Sequence, residues 1–341
     1  MTPFQDTMLS IAEVFLIAAI VCMILGLIIA LVTLSAGRKS ATKKVVATRK
    51  KVTVPASSDD DFLVYDPNES TGVTEGVMPA LATEVNEKEA DEVQTEVDTP
   101  QAKPARQSTN VGAFSTGFTI IAFVLLTAYL GVRMWLTGYG PFSNQHEFAV
   151  SFSWGILAAY LVALWRFKTR MLSLVVLPVA TCMTFYAYQL GTEIDSLLPA
   201  LQNNLLLTIH VGFAVLSYGA ACVSFGAAVI YLLYPRLKLK TPRESFDEMG
   251  YKAAVVTFPL LTIMILVGAL WASTAWGRYW GWDPKETAAL VTWLIYGAFL
   301  HARVARGWKG TKSATLLVIG FAAVLFAFFG NHFFGGLHSY G

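Results

Sequence analysis

The chain has 341 residues, 55% hydrophobic and 14% charged, with a mean hydropathy of +0.54 and a formal net charge of +2. Soluble proteins carry roughly 25% charged residues, so this composition argues against a soluble two-domain protein, a disordered chain, a small disulfide scaffold or a nucleic-acid-binding domain. An all-α integral membrane protein is expected, with no nucleic acid among its partners.

A first apolar run covers 10–35 and is uncharged from Val14 to Leu34. Its basic residues follow rather than precede it, the pattern of a retained helix and not of a cleaved signal peptide. Residues 36–111 differ in kind. Asp59 to Asp98 holds thirteen acids and one Lys, Lys88, and prolines recur in and around it at 55, 67, 79, 100 and 104. Such a stretch buries too little apolar surface to offset its ordering entropy. It is expected to be a disordered cytoplasmic linker, with its leading basic cluster on anionic lipid headgroups. Helix one would then be a tethered appendage.

Seven further apolar stretches follow, at about 112–136, 148–166, 171–190, 204–234, 251–275, 285–303 and 313–334. A bilayer core about 30 Å thick takes about 20 such residues as a helix, so about eight transmembrane helices are expected. The chain divides into an N-terminal helix (1–35), a linker (36–111) and a seven-helix domain (112–341). Of the 25 Lys and Arg, twenty-two fall in the segments after helices one, three, five and seven; only Arg133, Arg278 and Lys285 fall in the alternate loops. Basic loops stay in the cytoplasm, so both termini are expected to face outward.

Cys22, Cys182 and Cys222 lie scattered in apolar runs, without a Cys-x-x-Cys pair. That pattern suits buried small side chains and offers neither a zinc site, a dithiol nor a covalent haem attachment point.

Five of the nine tryptophans lie between Trp271 and Trp293, around the run Trp276-Gly-Arg-Tyr-Trp280-Gly-Trp282-Asp283-Pro284-Lys285-Glu286. Tryptophans at membrane interfaces often form only an aromatic belt, but a belt spreads over many helix ends. Here they crowd one outward loop with Gly277 and Gly281 between them, a surface suited to a flat apolar ligand with polar edges. Asp283, Pro284 and Glu286 also have the spacing of a capping box that starts helix seven.

Ionisable residues in or beside a membrane are functional candidates. His210, near the outer end of helix five, and His338, at the outward C-terminal end, can approach the Trp loop from two flanks. Two neutral imidazoles could ligate a porphyrin iron axially; His146 and His332 are alternatives to them. His301 lies about 25 Å along helix seven from its start, near the cytoplasmic face. It is either a snorkelling interfacial histidine or a ligand in a second, inner site.

The run Trp280 to Thr287, continued by Thr292-Trp293-Leu-Ile-Tyr296 and His301-Ala-Arg303, resembles the WWD-domain haem-handling proteins. Gly336-Leu-His338-Ser-Tyr340 resembles their C-terminal motif, and the His210 helix and Pro141–Glu147 are weaker echoes of earlier segments. The likeness covers about 112–341 and is closest to the CcsA (ResC-like) component of System II cytochrome c biogenesis. It implies a bacterial plasma-membrane protein that binds haem b non-covalently and presents it on the outer face for thioether attachment to apocytochrome c. The protein would be a component of a holocytochrome c synthase. It implies His210 and His338 as outer axial ligands beside Trp276, Trp280, Trp282 and Asp283, and His301 in a transmembrane haem site. Implied partners are a CcsB (ResB-like) membrane subunit, an apocytochrome c bearing Cys-x-x-Cys-His and a thiol-reducing thioredoxin-like protein. Competing readings are a System I-type WWD protein or haem exporter serving a chaperone, and a bis-histidine electron-transfer subunit. Helix one and the linker fall outside the resemblance.

Overall fold

In lipid every backbone polar group must be paired within its own segment, which leaves helices as the solution for apolar runs of this length. The computed structural model describes residues 3–50, 107–194, 204–237, 239 and 241–338, and among these every regular element is helical. In chain order they are α1 (Pro3–Lys50), α2 (Gln107–Thr137), α3 (Gln145–Phe167), α4 (Ser173–Gln189), α5 (Asn204–Leu237), α6 (Arg243–Trp276), α7 (Pro284–Ala305) and α8 (Thr311–Phe333). Seven are long and apolar enough to cross a membrane. The eighth, α4, has 17 residues with Pro178 inside it and reaches about 26 Å at 1.5 Å per residue. The chain is an all-α integral membrane protein.

The largest departures from the hydropathy reading are the start of α6 and the end of α1. Helix α6 begins at Arg243 rather than near 251, because its first turns are polar and helical together. Arg303 of α7 pairs there with Asp247 (2.6 Å) and Glu248 (3.4 Å), and Asp247 also accepts the Gly310 N–H at 3.0 Å. Helix α1 runs on to Lys50 instead of ending near 35. Only the part of α1 up to Ala41 belongs to the same unit as the other helices, and the expected disorder of 51–106 lies outside the described residues.

Helix α1 is not an appendage up to Ala41. Ala12, Leu16, Ala19 and Met23 form a fully buried stripe at helical spacing. Ser115 of α2 donates to the Gly26 carbonyl at 2.8 Å, and Thr192 donates to Glu13. Charge and hydropathy could not show this stripe, because it is built from the same apolar residues as the lipid-facing side.

Helix α5 is the most buried span and touches α3, α4, α6 and α8. It crosses α3 at Gly155 and Gly219, where a Cβ on Gly219 would run into the Gly155 backbone. Small residues allow such close crossings when lipid supplies no hydrophobic drive between helices. Aromatic rings then fill the space among α3, α5 and α8, with Phe148 stacked on Phe328 at 5.2 Å and Phe152 edge-on to Tyr218 at 5.5 Å. Near one end of the bundle, Arg133 of α2 and Glu147 of α3 form a buried ion pair at 2.9 Å. Arg133 also donates to the carbonyls of Thr192 and Glu193, and Glu147 accepts from Ser143. The arrangement satisfies both charges, which is the condition for burying them.

Candidate functional site

The turn between α6 and α7 is built by local chemistry. Gly277 ends α6 in the left-handed region (φ 71°), which a side chain would resist. Asp283 then caps α7, accepting the Lys285 N–H at 2.9 Å, while Glu286 reaches back to the N–H groups of Asp283 and Gly281. Between them the chain carries Trp280 and Trp282 in a loop braced at both ends.

The capping carboxylate has a second task. Asp283 Oδ2 accepts the Leu337 N–H at 2.6 Å, and Oδ1 lies 2.9 Å from His338 Nδ1. Gly336 makes this possible, since a Cβ there would collide with Asp283 Oδ2. The segment after α8 is thus pinned to the first turn of α7. Burial opposes ionisation of Asp283, but hydrogen bonds from His338, Lys285 and Leu337 outweigh it and hold the carboxyl at about 2. Burial also pushes the His338 imidazole below its ordinary range, against the pull of Asp283. The pair is a carboxylate and a neutral imidazole, with Nδ1–H donating and Nε2 carrying the lone pair.

His210 reaches the same place from α5. Its Nδ1 donates to the Met264 carbonyl of α6 at 2.9 Å, which again puts the lone pair on Nε2. Its ring lies where Gly268 has no side chain; a Cβ there would sit 2.6 Å from Cε1. Both histidines therefore have the tautomer and the orienting partner of a metal-ligating imidazole.

Trp271 joins the two. Its ring is nearly parallel to His210 (8°, centroids 6.1 Å apart) and lies 5.8 Å from His338. Trp276 packs edge-on to both Trp271 (4.7 Å) and His338 (4.8 Å). Trp280 lines the cavity that His210 and His338 share, together with Phe148, Met264 and Lys285. That cavity measures about 110 Å³, below the roughly 300–1,000 Å³ of pockets that enclose drug-sized ligands.

The expected site residues divide accordingly. His210, His338, Trp276, Trp280 and Asp283 come together. Trp282 is 70% exposed and touches Trp280 edge-on at 5.7 Å, on the outer side of the loop. Trp293 is a packing residue, stacked on Phe258 and donating to Thr262 at 2.8 Å. His301 is exposed and does not line the cavity. His146 is no alternative ligand, because Nδ1 donates to the Ala187 carbonyl and Nε2 accepts from Tyr129. The His332 side chain lies outside the described residues.

Trp271 stands in the tryptophan cluster and Lys285 in the loop motif, but by sequence neither is a site candidate. Trp271 lies inside the apolar run of α6 and Lys285 looked like part of the capping segment. Among the described residues no group of three or more His, Cys, Asp or Glu converges as a metal cluster.

Known proteins resemble this chain over most of its helical part. The family model for the cytochrome C assembly protein matches residues 142–338, from the start of α3 to His338. The cytochrome c biogenesis protein CcsA of Guillardia theta is 34% identical over 262 residues, covering 68% of this chain and 87% of that protein. CcsA of Microcystis aeruginosa is 36% identical over 289 residues, covering 67% and 88%. CcsA of Chlamydomonas reinhardtii is 36% identical over 235 residues, covering 65% and 66%. The chain belongs to the cytochrome c assembly protein family, among the CcsA-type cytochrome c biogenesis proteins.

Proposed function

We propose that this protein receives haem b, holds it between His210 and His338, and presents it for covalent attachment to apocytochrome c. The observation that carries this reading is the convergence on one cavity of two imidazoles from distant parts of the chain, each hydrogen-bonded through Nδ1 so that Nε2 would be the ligating atom. Bis-histidine ligation needs only those two nitrogens. The Trp271–Trp276–Trp280 wall offers flat apolar surface to the macrocycle. Haem here is cargo and substrate.

Attachment proceeds by addition of each substrate Cys S–H across a vinyl C=C of the haem. A C–S bond forms at one vinyl carbon, the proton ends on the other, and no net oxidation occurs. The substrate histidine of Cys-x-x-Cys-His then replaces one of the two axial ligands. The thiols come from the apocytochrome, kept reduced by a thioredoxin-like protein, so this chain needs no reactive cysteine of its own.

Basic-loop asymmetry supports an orientation with this site outside the cytoplasmic membrane of a bacterium. His301, exposed at the far end of α7, suits an inner haem site whose second ligand comes from a CcsB (ResB-like) subunit. A bis-histidine electron-transfer subunit is less well supported, because the paired imidazoles sit against an interhelical loop at the bundle end. Bound haem would also serve handover to a chaperone, as in System I proteins, so the experiment must read covalent attachment.

The full chain should be expressed with a CcsB-like partner and a reporter apocytochrome in a host lacking other maturation machinery. Covalent haem on the reporter is expected, with loss or altered haem spectra in His210→Ala and His338→Ala. Unchanged haem content and spectrum in both variants would refute the ligand pair. Haem-loaded protein without covalent reporter would point to handover instead.

A further inference from the structure

The cavity shared by His210 and His338 also carries donors that no protein acceptor takes up. The indole N–H groups of Trp271 and Trp280 are buried and make no hydrogen bond among the described residues. Lys285, in the first turn of α7, lines the same cavity. Its ammonium lies 5.0 Å from the centroid of the Phe148 ring and forms no ion pair among the described residues. The nearby carboxylates are committed elsewhere: Asp283 to His338, Leu337 and the Lys285 backbone, and Glu286 to Gly281 and Asp283. Buried donors are costly when unpaired, and two such indole N–H groups beside the half-buried Lys285 ammonium around one cavity describe the complement of a carboxylate-bearing ligand.

We propose that Lys285, with the indole N–H groups of Trp271 and Trp280, forms a carboxylate-recognising edge of this cavity that takes the propionates of haem. The inference rests on the haem reading above. Two imidazoles fix the iron but leave the macrocycle free to turn about the axis joining them. Haem b carries its ionised propionates on one edge and its vinyl groups away from them. Anchoring the propionates at Lys285 fixes that rotation and directs the vinyl carbons to a defined side, where incoming thiols must find them. Ammonium–carboxylate and indole–carboxylate contacts are charge-assisted hydrogen bonds, the strong class.

The test compares haem with its dimethyl ester, which keeps iron, vinyls and macrocycle but has no carboxylates. Both are titrated into the purified full chain in lipid nanodiscs, with the low-spin bis-imidazole spectrum as the binding signal. The wild-type protein is expected to prefer haem by about tenfold or more. Lys285→Gln should reduce the preference to about twofold while keeping the bis-imidazole spectrum. Lys285→Arg should restore most of it, and Trp280→Phe should lose a smaller part. Equal wild-type affinity for the two porphyrins would overturn the carboxylate edge and leave the haem reading standing. Binding of neither would overturn both. A preference undiminished in Lys285→Gln would overturn the assignment to Lys285. The wild-type comparison needs no variant, so it remains decisive if a substitution prevents folding.

Discussion

Asp283 receives the Nδ1–H of His338 at 2.9 Å with the same carboxylate that caps helix α7. One side chain therefore starts a helix and orients a candidate iron ligand 55 positions further along the chain. The coupling means that the loop, the helix start and the C-terminal segment are held as one unit.

Asp283→Asn keeps an oxygen for the cap and for His338 but removes the charge that makes the imidazole a better donor to iron. Haem affinity should fall by about tenfold, at the low end of what orienting partners of metal ligands contribute, and the unfolding temperature should fall as well, because the amide NH2 in place of Oδ2 faces the Leu337 N–H. Asp283→Ala should also lose the cap, at about 1 kcal/mol, and leave the Leu337 N–H without its acceptor. Equal haem titrations for wild type and Asp283→Asn would show that orientation of His338 does not depend on this contact.

Gly268→Ala would place a methyl group 2.6 Å from His210 Cε1. The imidazole must turn away, so haem retention should drop by at least tenfold, comparable to a ligand misplaced from productive geometry. Gly131→Ala meets nothing within 4 Å and is the matched control. Retention unaffected by Gly268→Ala would mean that His210 ligates from another position.

The pH dependence follows from the Asp283–His338 pair. The His338 imidazole is pushed below its ordinary 6.5, so the unfolded or undocked segment binds the proton more readily. Docking of the segment is then at full strength above about 6.5 and weakens as pH falls below it. Asp283, held at about 2 against an ordinary 3.8, adds a contribution present above about 3.8 and lost on further acidification toward 2. Nitrogen NMR of labelled His338 should report the neutral Nδ1–H tautomer at pH 7. Protonation of His338 at or above 6.5 would contradict this sign.

Arg133→Ala would strand the Glu147 carboxylate, 1% exposed, without its cation. Breaking a buried pair from one side costs about 3–5 kcal/mol, which should appear as a much lower unfolding temperature in detergent. Replacing both residues by Met should recover a large part of that loss, because no lone charge remains. A single variant as stable as wild type would mean that water already reaches the pair.

Ala19→Phe tests the packing of α1. Its buried position should make the larger side chain cost about 1–3 kcal/mol by overpacking, whereas Ile17→Phe, at an exposed position, should be nearly neutral. Identical melting of the two variants would return α1 to the status of an independent anchor.

The helices were legible because their apolar runs are long and their flanking charges few; the α7 start was legible because Asp283-Pro284-Lys285-Glu286 is a capping box at local spacing. His210 and His338 could be named as candidates, but nothing in the chain excluded His146. That exclusion comes from Tyr129 on α2 and the Ala187 carbonyl on α4, two partners brought by neighbouring helices. Trp271 belongs to the tryptophan cluster by sequence, but its place beside both histidines depends on neighbours from other elements. Trp282 drew notice as part of the loop, yet its φ of 54° and its exposure put it on the outer side.

Composition and charge by themselves determined that this is a multi-span helical membrane protein, where most helices lie, and which loop concentrates tryptophan. Those properties depend on the cost of exposing polar backbone to lipid and on local capping, both written in contiguous residues. Only the tertiary structure decided that α1 belongs to the core, that Asp283 orients His338, and that Lys285 faces the cavity of both histidines. Each of these depends on which helix faces which, and in a membrane that choice rests on small-residue crossings and a few long-range hydrogen bonds. A net charge of +2 or an apolar fraction of 55% cannot record such contacts.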